Sequence, residues 1–158
     1  MSSGQLRQFL DGTTVVLRPF IGDYLEGFDG SASTADGEVL FQLLHLAITA
    51  PQADPVAFAA ALADAEQLLD LAEIDPEIQA VIALRRALYG SDRYSGLLRR
   101  DQLDTVTSAQ LLTVYRQRLG AVDDLVVSIV GDQDAETIRF LADHYLGCLL
   151  YTSDAADE

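Results

Sequence analysis

The sequence predicts a layered fold of the α+β or α/β class, in which helices cover a sheet. Two observations indicate strands: Thr13–Arg18 is rich in β-branched residues, and Leu125–Val130 is a short apolar run with the character of a buried strand. Between these segments, apolar residues recur with helical spacing behind recognisable capping residues. A chain of 158 residues is long enough for one domain with a sizeable core.

The N-terminal part is predicted to contain a helix end and two strands. Gly4–Leu10 is expected to end a helix at Asp11-Gly12, because glycine adopts the left-handed turn that closes helices. The first strand, Thr13–Arg18, is expected to stop at Pro19, since proline has no N–H for the ladder. A second strand is expected over Ile21–Ser31, where glycines mark close approach of neighbouring backbone.

Four helices with clear start and stop signals are predicted next. An oxygen-bearing side chain or an aspartate-proline step marks a helix start, and a glycine or an X-Pro step marks an end. The starts are Thr34, Asp54-Pro55, Asp75-Pro76 and the capping box Thr107–Gln110, and the ends are Ala50-Pro51, Gly90 and Gly120. Beyond the apolar run, Asp134 is expected to cap a last helix with Ile138 and Leu141 in its core stripe.

Composition and charge exclude several classes of protein. Hydrophobic residues make up 49% of the chain and charged residues 22%, which is typical of a globular protein and not of a disordered one. The apolar runs are too short for a transmembrane helix. The 25 acidic and 10 basic residues give a formal net charge of −15, which disfavours binding to nucleic acid. We therefore expect neither a nucleic acid nor a membrane as partner.

The residues that could carry chemistry form no recognisable catalytic motif. His45 lies in an apolar helical run and His144 lacks a partner at ligand spacing, so both are predicted to be structural or surface residues. The chain contains neither a glycine-rich phosphate loop nor a G-x-S-x-G elbow. We therefore assign no catalytic and no metal-binding residue. The candidates for a divalent-ion site are the aspartates that flank the apolar run, Asp123, Asp124, Asp132 and Asp134.

The C-terminal residues 148–158 differ in character from the rest of the chain. They contain the only cysteine, Cys148, and resemble the conceptual translation of a transposon adapter used in sequencing libraries. We interpret them as foreign to the protein and exclude them from fold reasoning. On this interpretation the protein is expected to continue beyond Gly147, and its first strand is expected upstream.

A series of short segments stands in a fixed order along the chain. These segments are Pro19–Ser33, Leu40–Leu43, Thr49–Pro51, Thr107–Tyr115, Val127–Asp132 and Tyr145–Gly147. Together they resemble the C-terminal half of the zinc peptidases of the insulinase and pitrilysin family, the inverzincins. The resemblance extends over Leu10–Gly147, and its specificity comes from the order of the segments, since each one alone is short.

This resemblance implies an α+β fold, a two-layer sandwich of helices on one face of a mixed sheet. It also implies two homologous halves that close around an unfolded peptide. The N-terminal half carries zinc on an H-x-x-E-H helix, for which this chain has no matching position. The C-terminal half forms the chamber wall, with an edge strand for the substrate and an arginine/tyrosine pair that we expect beyond Gly147.

The resemblance therefore predicts a catalytically inactive segment with no cofactor of its own. Its expected partners are the zinc-carrying N-terminal half of the same protein and a peptide substrate. Bacterial enzymes of this kind are often exported, which favours a periplasmic parent. Residues 1–92 are assigned to one subdomain, 93–104 to a polar linker loop that contains Arg93 and Tyr94, and 105–147 to the start of a second subdomain.

Two other functions stay open at this point. One is a peptidase-like scaffold that uses the same fold for partner binding and has no active half. The other is an unrelated acidic domain that binds a divalent ion through the four aspartates around Leu125–Val130.

Overall fold

The computed structural model describes residues 3–22, 24–90, 99–120, 122, 125–147 and 149. Over these residues the chain is mostly helical with one two-stranded antiparallel sheet, which makes the fold α+β. The chain divides into two compact units, Met1–Gln52 with Leu112–Glu158 and Ala53–Leu111. Half of the expected linker at 93–104, residues 93–98, lies outside the described residues, and the linker stays a prediction.

The elements follow one another in an order close to the predicted one. They are α1 (Ser3–Leu10), β1 (Val16–Ile21), β2 (Glu26–Ser31), a 3-10 turn (Thr34–Asp36), α2 (Gly37–Thr49), α3 (Pro55–Ile74), α4 (Pro76–Tyr89), α5 (Arg100–Leu103), α6 (Ser108–Leu119) and α7 (Ala135–Tyr145). Gly12 and Gly90 have φ values of +82° and +76°, so the helix ends predicted at these two glycines are confirmed. Helix α6 ends at Leu119, directly before Gly120, which confirms the third end predicted from glycine.

Strands β1 and β2 form an antiparallel hairpin that is closed by a hydrogen bond from the Gly22 N–H to the Leu25 carbonyl at 2.8 Å. The prediction that the first strand stops at Pro19 is wrong, because Pro19 lies inside β1 opposite Phe28. A proline is tolerated in an edge strand when its nitrogen faces away from the neighbouring strand, because no hydrogen bond of the ladder is then lost. The strand therefore runs on to Ile21.

Aspartate caps open three helices as predicted. Asp54 and Asp75 each accept two backbone N–H bonds at the starts of α3 and α4, with proline at the first helical position. Asp134 accepts the Thr137 N–H at 2.8 Å at the start of α7. These carboxylates satisfy N–H groups that have no partner within the helix.

The two remaining predicted helix starts differ in outcome. Thr107 and Gln110 form the predicted reciprocal cap, with bonds of 2.8 Å and 3.2 Å between the backbone N–H of each and the side chain of the other. Thr34 begins a 3-10 turn instead, and α2 starts only at Gly37. A short 3-10 turn is a common lead-in to an α-helix.

The apolar run Leu125–Val130 is not a strand, so the prediction of a buried strand there is wrong. Val126 is 88% exposed and Val130 is 97% exposed. The described strands pair only with each other, and the run has no ladder partner among them. β-Branched residues favour a strand through contacts with neighbouring strands, and without such neighbours the pattern alone does not produce one.

A small apolar core lies in the first unit. Ile48, Val122 and Leu149 are 7%, 8% and 2% exposed and form one cluster, with Phe28 and Leu44 among the side chains packed around it. Leu149 belongs to residues 148–158. The burial of Leu149 shows how its side chain packs and does not test where the segment comes from. The interpretation of that segment as foreign therefore stays a prediction.

The second unit is helical. Helix α3 contacts α4 and α5. Arg100 in α5 donates to Asp70 at 2.7 Å and to Glu73 at 3.2 Å in α3, as an exposed ion pair of small energetic weight. None of the helices that the structure describes combines the length and the apolar character that a bilayer crossing requires.

Candidate peptide-binding groove

An open groove of roughly 370 Å³ runs beside β1 in the first unit. Residues of α1, β1, β2, α2 and α6 contribute to it. The apolar lining residues are Leu6, Leu10, Val15, Val16, Leu17, Pro19, Phe28, Leu43 and Ala47, and Arg18 and Tyr115 complete the lining. A concave, mostly apolar surface with few polar groups is typical of a binding site for apolar side chains.

Strand β1 borders the groove with a free edge. The consecutive residues Val15–Pro19 all line the groove. Strand β1 pairs with β2 on one side, and no further described strand pairs with it. The unpaired side of an edge strand offers N–H and C=O groups to an extended peptide. Pro19 contributes no donor, so pairing is favoured along the part of β1 that precedes it.

Helix α6 is joined to α2 and to the hairpin at the groove. The Tyr115 hydroxyl donates to the Ala47 carbonyl at 3.0 Å, and its ring lies edge-on to Phe28 with centroids 6.3 Å apart. Arg118 Nε donates to Glu26 Oε2 at 2.6 Å. Partial burial raises the pKa of Tyr115 above its usual value near 10. The phenol therefore stays protonated at neutral pH, and its hydroxyl donates the hydrogen bond that joins α6 to α2 at the groove.

Asp36 ties the chain just before β1 to the turn that precedes α2. Its Oδ2 accepts the Thr14 N–H at 3.0 Å, the Thr14 hydroxyl at 2.8 Å and the Ser33 hydroxyl at 2.7 Å. These donors, the Thr14 N–H foremost, hold the pKa of Asp36 below its usual value. The ionised carboxylate thus holds in place the residues that lead into β1, the strand that borders the groove.

We expect this carboxylate to make stability depend on acid pH. A group whose folded pKa lies below its unfolded value, about 3.9 for aspartate, stabilises the fold above that pH, and the contribution is lost as pH falls through the folded pKa. Asp36→Asn should therefore lower the unfolding temperature most at neutral pH, and the difference from the unsubstituted chain should shrink below about pH 4. The control is Asp29→Asn, at an exposed position of β2. The same pH dependence in both variants would contradict this role for Asp36.

A polar network joins α2 to α7. The Tyr145 hydroxyl donates to Glu38 Oε1 at 2.7 Å and accepts from Gln42 Nε2 at 2.9 Å, while His45 Nδ1 donates to the Tyr145 carbonyl at 2.8 Å. The His144 ring lies edge-on to that of Tyr145, with centroids 4.6 Å apart. Both histidines therefore make structural contacts, in agreement with the prediction.

The described residues do not form a zinc site. Among them, no group of three or more His, Cys, Asp or Glu side chains is arranged to hold a metal ion. Asp134 accepts the hydroxyl and the N–H of Thr137 at 2.6 Å and 2.8 Å, and these bonds lower its pKa. Asp132 is exposed, and Asp123 and Asp124 lie outside the described residues. Asp134 therefore serves as a helix cap, and no described cluster supports a divalent-ion site.

The arginines near the expected linker face carboxylates where the structure describes them. Arg99 makes two bonds to Asp101, at 2.9 Å and 2.8 Å, and Arg100 binds two carboxylates of α3. The positive charge of both is thus balanced locally, which does not favour an anion site. Arg93 and Tyr94 lie outside the described residues, and their place in a linker loop stays a prediction.

Sequence reasoning assigns no residue to the groove. The groove brings together positions as distant as Leu6, Leu17, Phe28 and Tyr115. Their apolar character predicts burial but does not indicate which of them share a surface. The one signal in the sequence is that four lining residues lie within segments that carry the family resemblance: Pro19, Phe28, Leu43 and Tyr115.

Comparison with known proteins identifies no relative: no family model, no curated protein and no solved structure matches the chain. The family resemblance therefore depends on the short ordered segments alone. The fold is α+β, and the assignment of the chain to one half of a zinc peptidase is a proposal.

Proposed function

We propose that this chain is a catalytically inactive segment of a zinc-dependent endopeptidase and forms part of the wall of its peptide-binding chamber. The observation that carries the proposal is the apolar groove beside the free edge of β1. In this proposal the N-terminal half of the same protein carries the zinc and cleaves the peptide bond. The role of this chain is to hold the substrate.

Three of the six segments that carry the resemblance also contribute to the groove. Pro19–Ser33 covers the end of β1 and all of β2, Leu40–Leu43 lies in α2, and Thr107–Tyr115 reaches from the cap of α6 to its tyrosine. Each of these three segments contributes a residue to the groove, although Thr107–Tyr115 is far along the chain from the other two. The resemblance in these three segments and the position of the groove therefore support the same proposal.

An extended peptide matches both features of this site. Its backbone can pair with the free edge of β1, and every second side chain then projects to the same face and can enter the groove. A volume of roughly 370 Å³ lies near the lower end of the usual range for ligand pockets, about 300–1,000 Å³. The groove therefore fits a few apolar side chains of a longer substrate.

Fluorescence anisotropy with a labelled peptide tests the proposal on the 158-residue chain. The probe is an uncharged peptide with alternating valine and serine, and its matched control carries N-methyl groups on alternate amides. We expect the unmodified peptide to bind at least about tenfold more tightly, because N-methylation removes the donors that pair with an edge strand. Equal affinities, or no binding of either peptide, would contradict the proposal.

A further inference from the structure

Helix α3 of the second unit is apolar on two sides, and one of these sides packs on neighbouring helices. The half-buried residues of α3 recur every three or four positions and form its inner face: Phe58, Leu62, Ala65, Leu69 and Ala72. Leu69 and Ala72 line a small pocket together with Ile82 of α4, so the inner face is turned toward that helix.

The outer face of α3 follows the same spacing and is open. It consists of Val56, Ala60, Ala63, Gln67, Leu71 and Ile74, and all six residues are exposed. Val56 and Ile74 are 77% and 78% exposed. The open face of a surface helix is normally polar, whereas five of these six side chains have no polar group. Helices that are apolar on two sides are typical of positions between two neighbours, so we expect a partner on the outer face.

We propose that the outer face of α3 is a docking surface for an amphipathic helix of a partner protein, with basic residues beside the apolar stripe of that helix. The inference goes beyond the proposed function and does not depend on it, since the groove lies in the first unit and α3 in the second. Both the side-chain sizes and the charges of α3 favour this occupant.

The side chains of the outer face suit a helix. Ala60 and Ala63 lie between the larger side chains of Val56 and Leu71, and small residues allow two helices to approach to about 8–10 Å between their axes. The face follows a helix of 20 residues, which is about 30 Å long. A partner helix can therefore contact apolar side chains along most of α3.

The charges beside the outer face select a basic partner. Helix α3 contains four acidic residues and no basic one. Asp64 and Glu66 lie on either side of the face, and both are exposed and form no ion pair with any described residue. Asp70 and Glu73 share the single charge of Arg100, which leaves one negative charge unbalanced. Charges that flank an apolar helix seam determine which helix pairs with it, so lysine or arginine is favoured and a second copy of α3 is disfavoured.

The test is a fluorescence titration of the 158-residue chain with three labelled synthetic peptides. The first has leucine at every third or fourth position with lysine beside that stripe, the second has glutamate for lysine, and the third has the composition of the first in scrambled order. We expect the first to bind at least about tenfold more tightly than either control. Attraction to the net charge of −15 alone would not distinguish the first peptide from the scrambled one. Isotope-edited infrared spectra should show the bound peptide as a helix, and equal affinity for the first peptide and either control would overturn the proposal.

Two arginine variants of α3 show whether the outer face is the binding site. Ala63→Arg places a long cation in the middle of the face, and the matched control Ala61→Arg makes the same change at an exposed position outside it. Ala63→Arg should weaken binding of the lysine peptide by about tenfold or more, and Ala61→Arg by no more than about twofold. Arginine is a good helix former, and circular dichroism shows that both variants fold. Equal losses in the two variants, or no loss in Ala63→Arg, would overturn the proposal.

A pair of neutral variants tests the charges. Asp64→Asn combined with Glu66→Gln should weaken binding of the lysine peptide, and the effect should decrease as salt is raised. The control combines Asp11→Asn with Asp29→Asn, which removes the same charge from exposed positions of the first unit. Equal weakening by the two combinations would show that only the total charge matters and would overturn the proposal.

Two further measurements separate this site from other occupants and other sites. Leu17→Asp, in the groove, should leave the affinity for the lysine peptide unchanged, and a loss there would move the site to the groove and overturn the proposal. Sedimentation of the chain without peptide should show no dimer that Ala63→Arg dissociates. Such a dimer would assign the outer face to a second copy, with the same consequence.

Discussion

Ile48→Ala is expected to lower the free energy of unfolding by about 2–5 kcal/mol, the usual range for a buried isoleucine or leucine cut back to alanine. Ile48 is 7% exposed and lies in one apolar cluster with Val122 and Leu149, and Phe28 packs against this cluster. Removing its side chain takes away apolar contacts and leaves a cavity that the surrounding side chains fill only in part. The effect should be large because the first unit contains few other buried apolar side chains among its described residues.

Urea unfolding followed by circular dichroism measures this change, and the matched control is Leu46→Ala. Leu46 lies two residues earlier on the same helix and is 42% exposed. Its replacement should cost less, roughly 1 kcal/mol, because a large share of the Leu46 side chain stays in water in the folded chain. If both variants lost the same stability, the core cluster around Ile48 would not hold the first unit together.

Leu17→Asp is expected to weaken peptide binding in the groove by roughly 100-fold, or about 2.8 kcal/mol. Leu17 is half-buried and lines the groove beside the free edge of β1. The variant removes an apolar contact and places a carboxylate where an apolar side chain would bind, and desolvation of a charge without a partner is costly.

The matched control for this variant is Ile21→Asp, measured with the same labelled valine/serine peptide. Ile21 lies on the same strand, is 55% exposed and does not line the groove. Its replacement should change the affinity by no more than about twofold. Equal losses in the two variants would show that the peptide is not held in the groove. Circular dichroism of both variants separates a loss of binding from a loss of fold.

Local signals in the sequence are sufficient to predict most of the helices. Asp54 and Asp75 meet the N–H groups that they cap within three residues, so a short window of sequence contains the whole interaction. Gly90 closes α4 for an equally local reason, since its positive φ is easy for glycine. The caps at Asp54, Asp75 and Gly90 could therefore be predicted from a few neighbouring residues, whereas the start at Thr34 was displaced to Gly37 by a 3-10 turn.

The strands and the groove depend on contacts between distant residues, which a single sequence does not reveal. Pro19 is compatible with β1 only because the strand lies at an edge, and Leu125–Val130 fails to become a strand because no described partner lies beside it. The groove likewise needs Leu6 and Tyr115, which come from the two separate sequence segments of the first unit. The apolar pattern predicts that such residues are buried, but it does not predict which other residues they contact.

The most direct test of the central claim is the zinc content and peptide-cleaving activity of the longer protein that the proposed function requires. The account predicts about one bound zinc ion, held by an H-x-x-E-H helix upstream of this chain, and cleavage that disappears when a histidine of that helix is replaced. The 158-residue chain alone should bind peptide without cleaving it. A longer protein that binds no zinc and cleaves no peptide would contradict the account and favour a peptidase-like scaffold.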